Sequence, residues 1–235
     1  PRHTKEQDST MRDRTKIATG IGVWFLLVLI AGDSKAFVGS PENSPVALGL
    51  CFAAPVAILV LLYRRSGAVR RLAQSVDLAG LTLLHLWRLG GADFLFEYSR
   101  GRLPAGFAFS AGIGDLIIGL TAIPMALALQ RDPARARRWF IIWNVFGLLD
   151  LVVAVGLGIL HSESSWGLLA GSGPTTSIMT VLPRSMIPTF FVPLFISLHL
   201  LAINRSRQGL REGGQHLAGG GHDTGMAYRR QGAMR

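Results

Sequence analysis

Two apolar runs, 108–130 and 139–160, of twenty-three and twenty-two residues, limit what this chain can fold into. As helices at ~1.5 Å per residue they measure ~33–35 Å, enough to cross a hydrocarbon core of ~30 Å. Each run carries one acid in its middle, Asp115 or Asp150. The two share a local setting: Gly112 precedes Asp115 by three residues and Gly119 follows by four, as Gly147 and Ala154 do for Asp150. Steps of three and four along the first helix collect Ala108, Gly112, Asp115, Gly119, Ala122 and Ala126 on one stripe, with Ala111 beside it. Ile117, Leu120 and Leu127 fall off that stripe. The same walk on the second helix collects Gly147, Asp150, Ala154 and Gly158. Helices in lipid associate through small residues because these let backbones approach closely. Both acids are therefore predicted to face protein. A charge at the bilayer centre costs ~2.5–3.5 kcal/mol on insertion scales, so each acid needs a proton or a partner. Arg88 is the one Lys or Arg inside an apolar run, and the natural partner.

Composition supports a membrane setting. Only 16% of the 235 residues are charged, against ~25% in soluble domains, and 49% are hydrophobic. The net charge of +10 sits in short clusters between apolar runs, which points to lipid headgroups and topology, not to nucleic acid. Cys51 is the only cysteine, so no intrachain disulfide and no Cys-x-x-Cys metal framework exists.

The pattern predicts an all-α, polytopic fold with six transmembrane helices at about 17–36, 45–63, 76–96, 108–130, 139–160 and 185–204. Residues 1–16 read as a loose polar lead, 17–204 as the membrane domain and 205–235 as a disordered basic tail. Ser34-Lys35-Ala36 also resembles a signal-peptide cleavage site, the rival reading of the first span. The stretch 76–96 is polar for a span, and charge asymmetry decides for it. With six crossings and both termini cytoplasmic, nineteen Lys/Arg fall on the inner side and four, Lys35, Arg100, Arg102 and Arg184, on the outer. Without that crossing, the clusters at 64–71 and 131–138 would lie on opposite sides. The latter is read as an arginine-rich turn, and a short helix is expected near 175–182. Pro188 and Pro193 should bend the sixth helix.

Three constellations are candidates for chemistry. Counting from the outer ends of their spans, Arg88, Asp115 and Asp150 lie at depths that agree within ~5 Å, so one cluster is geometrically possible. One cation against two acids leaves a surplus negative charge for a proton, a bound cation or a further donor such as Asn144 or His85. The functional reading is a titratable or substrate-binding centre; the plain one is a polar knot joining three helices. His85 and His199 also share a depth and form the one pair able to ligate a b-type haem; no other cofactor and no metal site is expected. Asp93, Glu97 and Arg100 read as a solvated ion-pair ladder at a helix end. The tryptophans 24, 87, 139, 143 and 166 need no cofactor, several falling near interfaces.

Arg88-x-x-Gly91-x-x-Phe94, Leu103-Pro104-x-x-Phe107-Ala108 and Gly112-x-Gly114-Asp115 together resemble uncharacterised bacterial six-helix inner-membrane proteins. The same segment is similar to DoxX-like proteins, smaller four-helix units that place an arginine early in one helix and an acid, usually Glu, in the next. The resemblance implies pairing of Arg88 with Asp115.

The expectation is a multi-pass protein of a bacterial-type inner membrane, with the lipid bilayer and a small solute or cation as partners. Transport of a small solute, ion or proton through Arg88, Asp115 and Asp150, with His85 and Asn144 as further binding groups, is the leading function. A scaffolding subunit with a structural knot, and a haem redox protein using His85 and His199, are the alternatives. No nucleophile–base pair stands out, so an enzyme is the least supported class.

Overall fold

The computed structural model describes residues 2–40, 42 and 45–207; residues 208–235, most of the expected tail, lie outside the described residues. Every regular element among them is helical. In chain order they are α1 (Arg2–Asp33), α2 (Val46–Arg65), α3 (Gly67–Ser75), α4 (Leu78–Leu83), a 3-10 helix (Leu84–Gly91), α5 (Ala92–Ser99), α6 (Ala105–Arg131), α7 (Pro133–Leu160), a 3-10 turn (Ser177–Thr180) and α8 (Ile187–Arg207). Five helices among the described residues are long and apolar enough to cross a membrane: α1 over Thr15–Asp33, α2, α6, α7 and α8.

Local chemistry sets the breaks between them. α1 ends in a Schellman turn: Ala36 N–H donates to Ala31 C=O, Lys35 N–H donates to Gly32 C=O, and Lys35 takes φ 58°. Residues 2–16, expected as a loose lead, are instead the polar first turns of α1. Ser66 is extended between α2 and α3 and accepts from Val69 N–H, so the basic stretch 64–71 is divided: Arg64 and Arg65 end α2, and Arg70 and Arg71 lie on the short α3. Asp77 caps α4 by accepting from Ala79 and Gly80 N–H at 3.2 and 2.7 Å, which removes it from the span. The arginine-rich turn shrinks to Asp132, because Pro133 cannot continue α6 and is well suited to start α7. Asp132 accepts from Arg135 N–H at 3.0 Å, and the following arginines lie on the first turns of α7.

The third apolar stretch is helical from Leu78 to Ser99 but not a single α-helix. Apart from Leu81, its buried residues Ala79, Thr82, His85, Arg88, Gly91, Phe94 and Glu97 recur every three positions. A 3-10 helix has three residues per turn, so Leu84–Gly91 carries His85, Arg88 and Gly91 along one straight line facing the bundle. α8 opens with a π turn, Ile187–Phe191, at Pro188, the local form taken by the expected proline disturbance. Only the short 3-10 turn Ser177–Thr180 stands where a helix was expected in the loop after α7.

The helices pack unequally. Residues 78–99, α6, α7 and α8 form the centre, with Leu81, Ile118, Ala122, Phe140, Trp143 and Ala202 in one core cluster. Ala108, Ala111, Ala122 and Ala126 are 0–2% exposed, whereas Ile117, Leu120 and Leu127 are 44–66% exposed, so the small-residue stripe is the inner seam of α6. α1 and α2 are peripheral: α2 has no buried residue, and both rest on α8 through Phe190, Phe191 and Leu194.

Candidate functional site

Arg88 is the hub. Its Nε donates to Asp115 Oδ1 at 2.5 Å, and one terminal nitrogen donates to Asp150 Oδ2. The other donates to the Gly147 carbonyl at 3.2 Å and to His199 Nε2 at 3.3 Å. Guanidinium only donates, so His199 Nε2 accepts and the imidazole proton resides on Nδ1. Nδ1 then donates to Asn144 Oδ1 at 2.9 Å, and Asn144 Nδ2 donates to Phe140 C=O at 2.8 Å. The network thus runs with one consistent direction of donation from the 3-10 helix through α8 into α7.

Glycine positions make the network possible. A Cβ at Gly91 would run into Asp115, one at Gly114 into the Asp150 carboxylate, and one at Gly147 would lie 2.6 Å from the His199 ring. Each polar side chain therefore occupies the space above a glycine on the neighbouring helix. The sequence stripe contained Gly147, but Gly91 and Gly114 were not singled out as seats. Their signal was available, since Gly91 stands three residues from Arg88 and Gly114 adjoins Asp115.

The two acids differ in access. The Asp115 side chain is 15% exposed and Asp150 9%, against 1% for Arg88. Asp115 Oδ2 makes no hydrogen bond among the described residues. Asp115 lines a cavity of about 600 Å³ between α1, the 3-10 helix and α8, as does Arg88. A second cavity, of about 120 Å³, reaches Asp115 from the side of α2 and α7. Phe94, Leu151, Ile187 and Val192 line both, so the π turn of α8 stands in the partition between them.

At the far end of the larger cavity lies a second ionic group. Arg184 donates to both oxygens of Asp93 at 2.7 and 3.0 Å and to Glu97 Oε1 at 2.6 Å. Arg102 also pairs with Glu97, with Nε 2.5 Å from Oε2. The hydrogen bond to Asp93, opposed by desolvation and aided by the charges of Asp93 and Glu97, raises the Arg184 pKa above its ordinary value. This overturns the solvated ladder: Glu97 is fully buried, and Arg100 lies over the Phe96 ring at 4.7 Å instead of completing the series. The partner that sequence reading missed, Arg184, is 87 positions from Glu97.

His85 belongs to the same core but donates only to the Leu81 carbonyl, at 3.3 Å, and its buried Nε2 has no hydrogen-bond partner. The His85 and His199 rings touch, with centroids 4.3 Å apart and planes at 46°. A bis-histidine haem needs the two imidazoles on opposite faces of a porphyrin, each offering a nitrogen to the iron. These rings leave no slot between them, and both nitrogens of His199 are engaged. The pair does not fit a haem. Trp143 is in the core, where Nε1 donates to Thr121 Oγ1 at 2.8 Å.

Comparison with known proteins adds one relationship. Residues 45–206 match the model of a Domain of unknown function (DUF8737), a stretch that takes in the whole ionic centre and leaves out α1. No curated protein and no solved structure matches the chain.

Proposed function

The chain belongs to the DUF8737 family, and from its site we propose that it handles a proton or a small cationic solute within a bacterial-type inner membrane, with Asp115 as the exchanging group. The observation that carries this reading is the cavity of about 600 Å³ that Asp115 lines beside Arg88. One guanidinium between two carboxylates leaves a formal surplus of one negative charge, which a proton or a bound cation neutralises. Arg88 is the fixed counter-charge, anchored by Asp150, Gly147 and His199, and Asp115 Oδ2 remains for exchange. The π turn of α8, which borders both cavities at Ile187, is the element suited to flexing between access states.

The topology that accompanies this reading has six crossings, with the N- and C-termini cytoplasmic. Residues 78–99 supply the sixth: at ~1.5 Å per α-helical and ~2.0 Å per 3-10 residue they extend ~37 Å, beyond a hydrocarbon core of ~30 Å. The inner-side excess of Lys and Arg supports the same arrangement.

A second reading, a structural knot in a scaffolding subunit, draws support from Arg88 itself, since each of its three nitrogens has a protein acceptor. Purified protein in sealed vesicles separates the two. Under an imposed pH gradient, the wild type should dissipate the gradient and Asp115→Asn should not. Equal flux from both, with the variant folded, would leave only the knot.

A further inference from the structure

We propose that the larger cavity binds an organic monovalent cation with a bulky apolar or aromatic body, its charge held by Asp115 Oδ2. The proposal deepens the reading of Asp115 as the exchanging group and rests on it. The cavity wall is mostly carbon, with Phe25, Trp87, Phe94, Phe191 and Phe195 supplying five aromatic rings. A hydrated inorganic ion gains nothing from such a wall, whereas an apolar body does. Its volume, about 600 Å³, is that of a site for an organic molecule, not for a proton alone.

Charge selects the sign. Four ionisable groups line the cavity, Arg88, Asp93, Asp115 and Arg184. Both arginines are committed, Arg88 to Asp115, Asp150, Gly147 and His199, and Arg184 to Asp93 and Glu97. Among the four, Asp115 keeps an oxygen without a hydrogen bond, backed by the second carboxylate Asp150. Arg184 Nη1 has no acceptor among the described residues, but that guanidinium already lies between Asp93 and Glu97. Beside Asp115 an entering anion would face an unpartnered carboxylate oxygen, whereas a cation meets an acceptor in a centre one charge short of neutrality.

The rings add a second attraction. Trp87 and Phe191 stack at 5.0 Å with planes 20° apart. Trp87 is 62% exposed on the outer face of the 3-10 helix, where lipid lies in the proposed topology. An aromatic pair that borders both lipid and an acid-bearing cavity suits a cation arriving sideways from the bilayer, since ring faces attract cations.

Tetraphenylphosphonium and tetraphenylborate, nearly equal in shape and opposite in charge, are the probes. Equilibrium dialysis against the full chain in detergent should show saturable binding of one tetraphenylphosphonium per chain and, in a separate dialysis, no saturable binding of tetraphenylborate. Asp115→Asn should weaken it roughly thirtyfold or more, the loss of a desolvated charge pair. Trp87→Ala should weaken it about threefold to tenfold, leaving the ion network intact. Equal binding of the two probes, absence of saturable binding, or wild-type affinity in Asp115→Asn would overturn the proposal. Should Asp115→Asn not fold, the comparison of the two probes with Trp87→Ala decides the matter. Proton flux that needs Asp115 alongside failed phosphonium binding would remove this ligand class and leave the exchanging acid; phosphonium binding without flux would do the reverse.

Discussion

The carboxylate of Asp150 occupies the space that a side chain at Gly114 would fill. This juxtaposition lets α6 and α7 approach closely enough for Asp150 to reach Arg88, which stands on a third helix. Gly114→Ala should therefore expel Asp150 and leave Arg88 with one carboxylate, at a cost of about 3–5 kcal/mol, as for other broken buried pairs. Gly156→Ala on α7 is the matched control, because a Cβ there meets nothing within 4 Å. It should be neutral or stabilising by up to ~1 kcal/mol through helix propensity. Unfolding in mixed micelles measures both. Equal effects of the two would show that the glycine seat does not hold the network.

Removing Arg88 should be worse than removing the whole centre. Arg88→Met leaves Asp115 and Asp150 facing one another without a cation, which predicts a loss of about 3–5 kcal/mol. Adding Asp115→Asn and Asp150→Asn should restore most of that loss, since a buried ion cluster replaced by neutral groups of similar volume is often tolerated. The measurement is the unfolding free energy of the single and triple variants. A triple variant as unstable as Arg88→Met alone would mean that Arg88 stabilises by packing and not by charge.

Much of this centre was legible because its residues obey helical spacing within one segment. Gly112, Asp115 and Gly119 lie one turn apart, so their common burial follows from the period alone, as does that of Gly147 with Asp150. The element holding Arg88 was misjudged in form. Thr82, His85, Arg88, Gly91, Phe94 and Glu97 repeat every three residues, which marks a 3-10 path, yet an apolar run of this length invites an α-helical reading. Glu97 was placed in solvent because its neutralising partner, Arg184, arrives from a loop far along the chain. Long-range ion pairs leave no local period. The contact of His85 with His199 was beyond reach for a related reason: equal depth on two helices does not fix which way either ring points.

The outer ionic group should behave as a clasp on the loop between α7 and α8. Glu97 is about 1% exposed and pairs with both Arg102 and Arg184, whereas Asp93 is 38% exposed and pairs with Arg184. Glu97→Gln should therefore loosen residues 161–186 far more than Asp93→Asn, because exposed ion pairs contribute only ~0–1 kcal/mol. Amide hydrogen exchange across that loop reads the difference. Faster exchange in Asp93→Asn than in Glu97→Gln would reverse the assignment of the clasp.

Whether residues 78–99 cross the bilayer decides the arrangement of everything that follows them. Ser75 and Ser99 are both exposed and flank the segment. After replacement of Cys51 by serine, the chain has no native thiol, so one introduced cysteine reports on one site. In intact cells, a membrane-impermeant maleimide should label Ser99→Cys and should reach Ser75→Cys only after the membrane is opened. The 3-10 stretch favours this outcome, since its longer rise per residue carries a polar-lined segment across ~30 Å while its three-residue period keeps His85, Arg88 and Gly91 turned from lipid. Labelling of both cysteines from the same side would return the segment to one face of the membrane. Arg88 could then not reach Asp115 and Asp150, which lie midway along α6 and α7, and the ionic centre itself would be refuted.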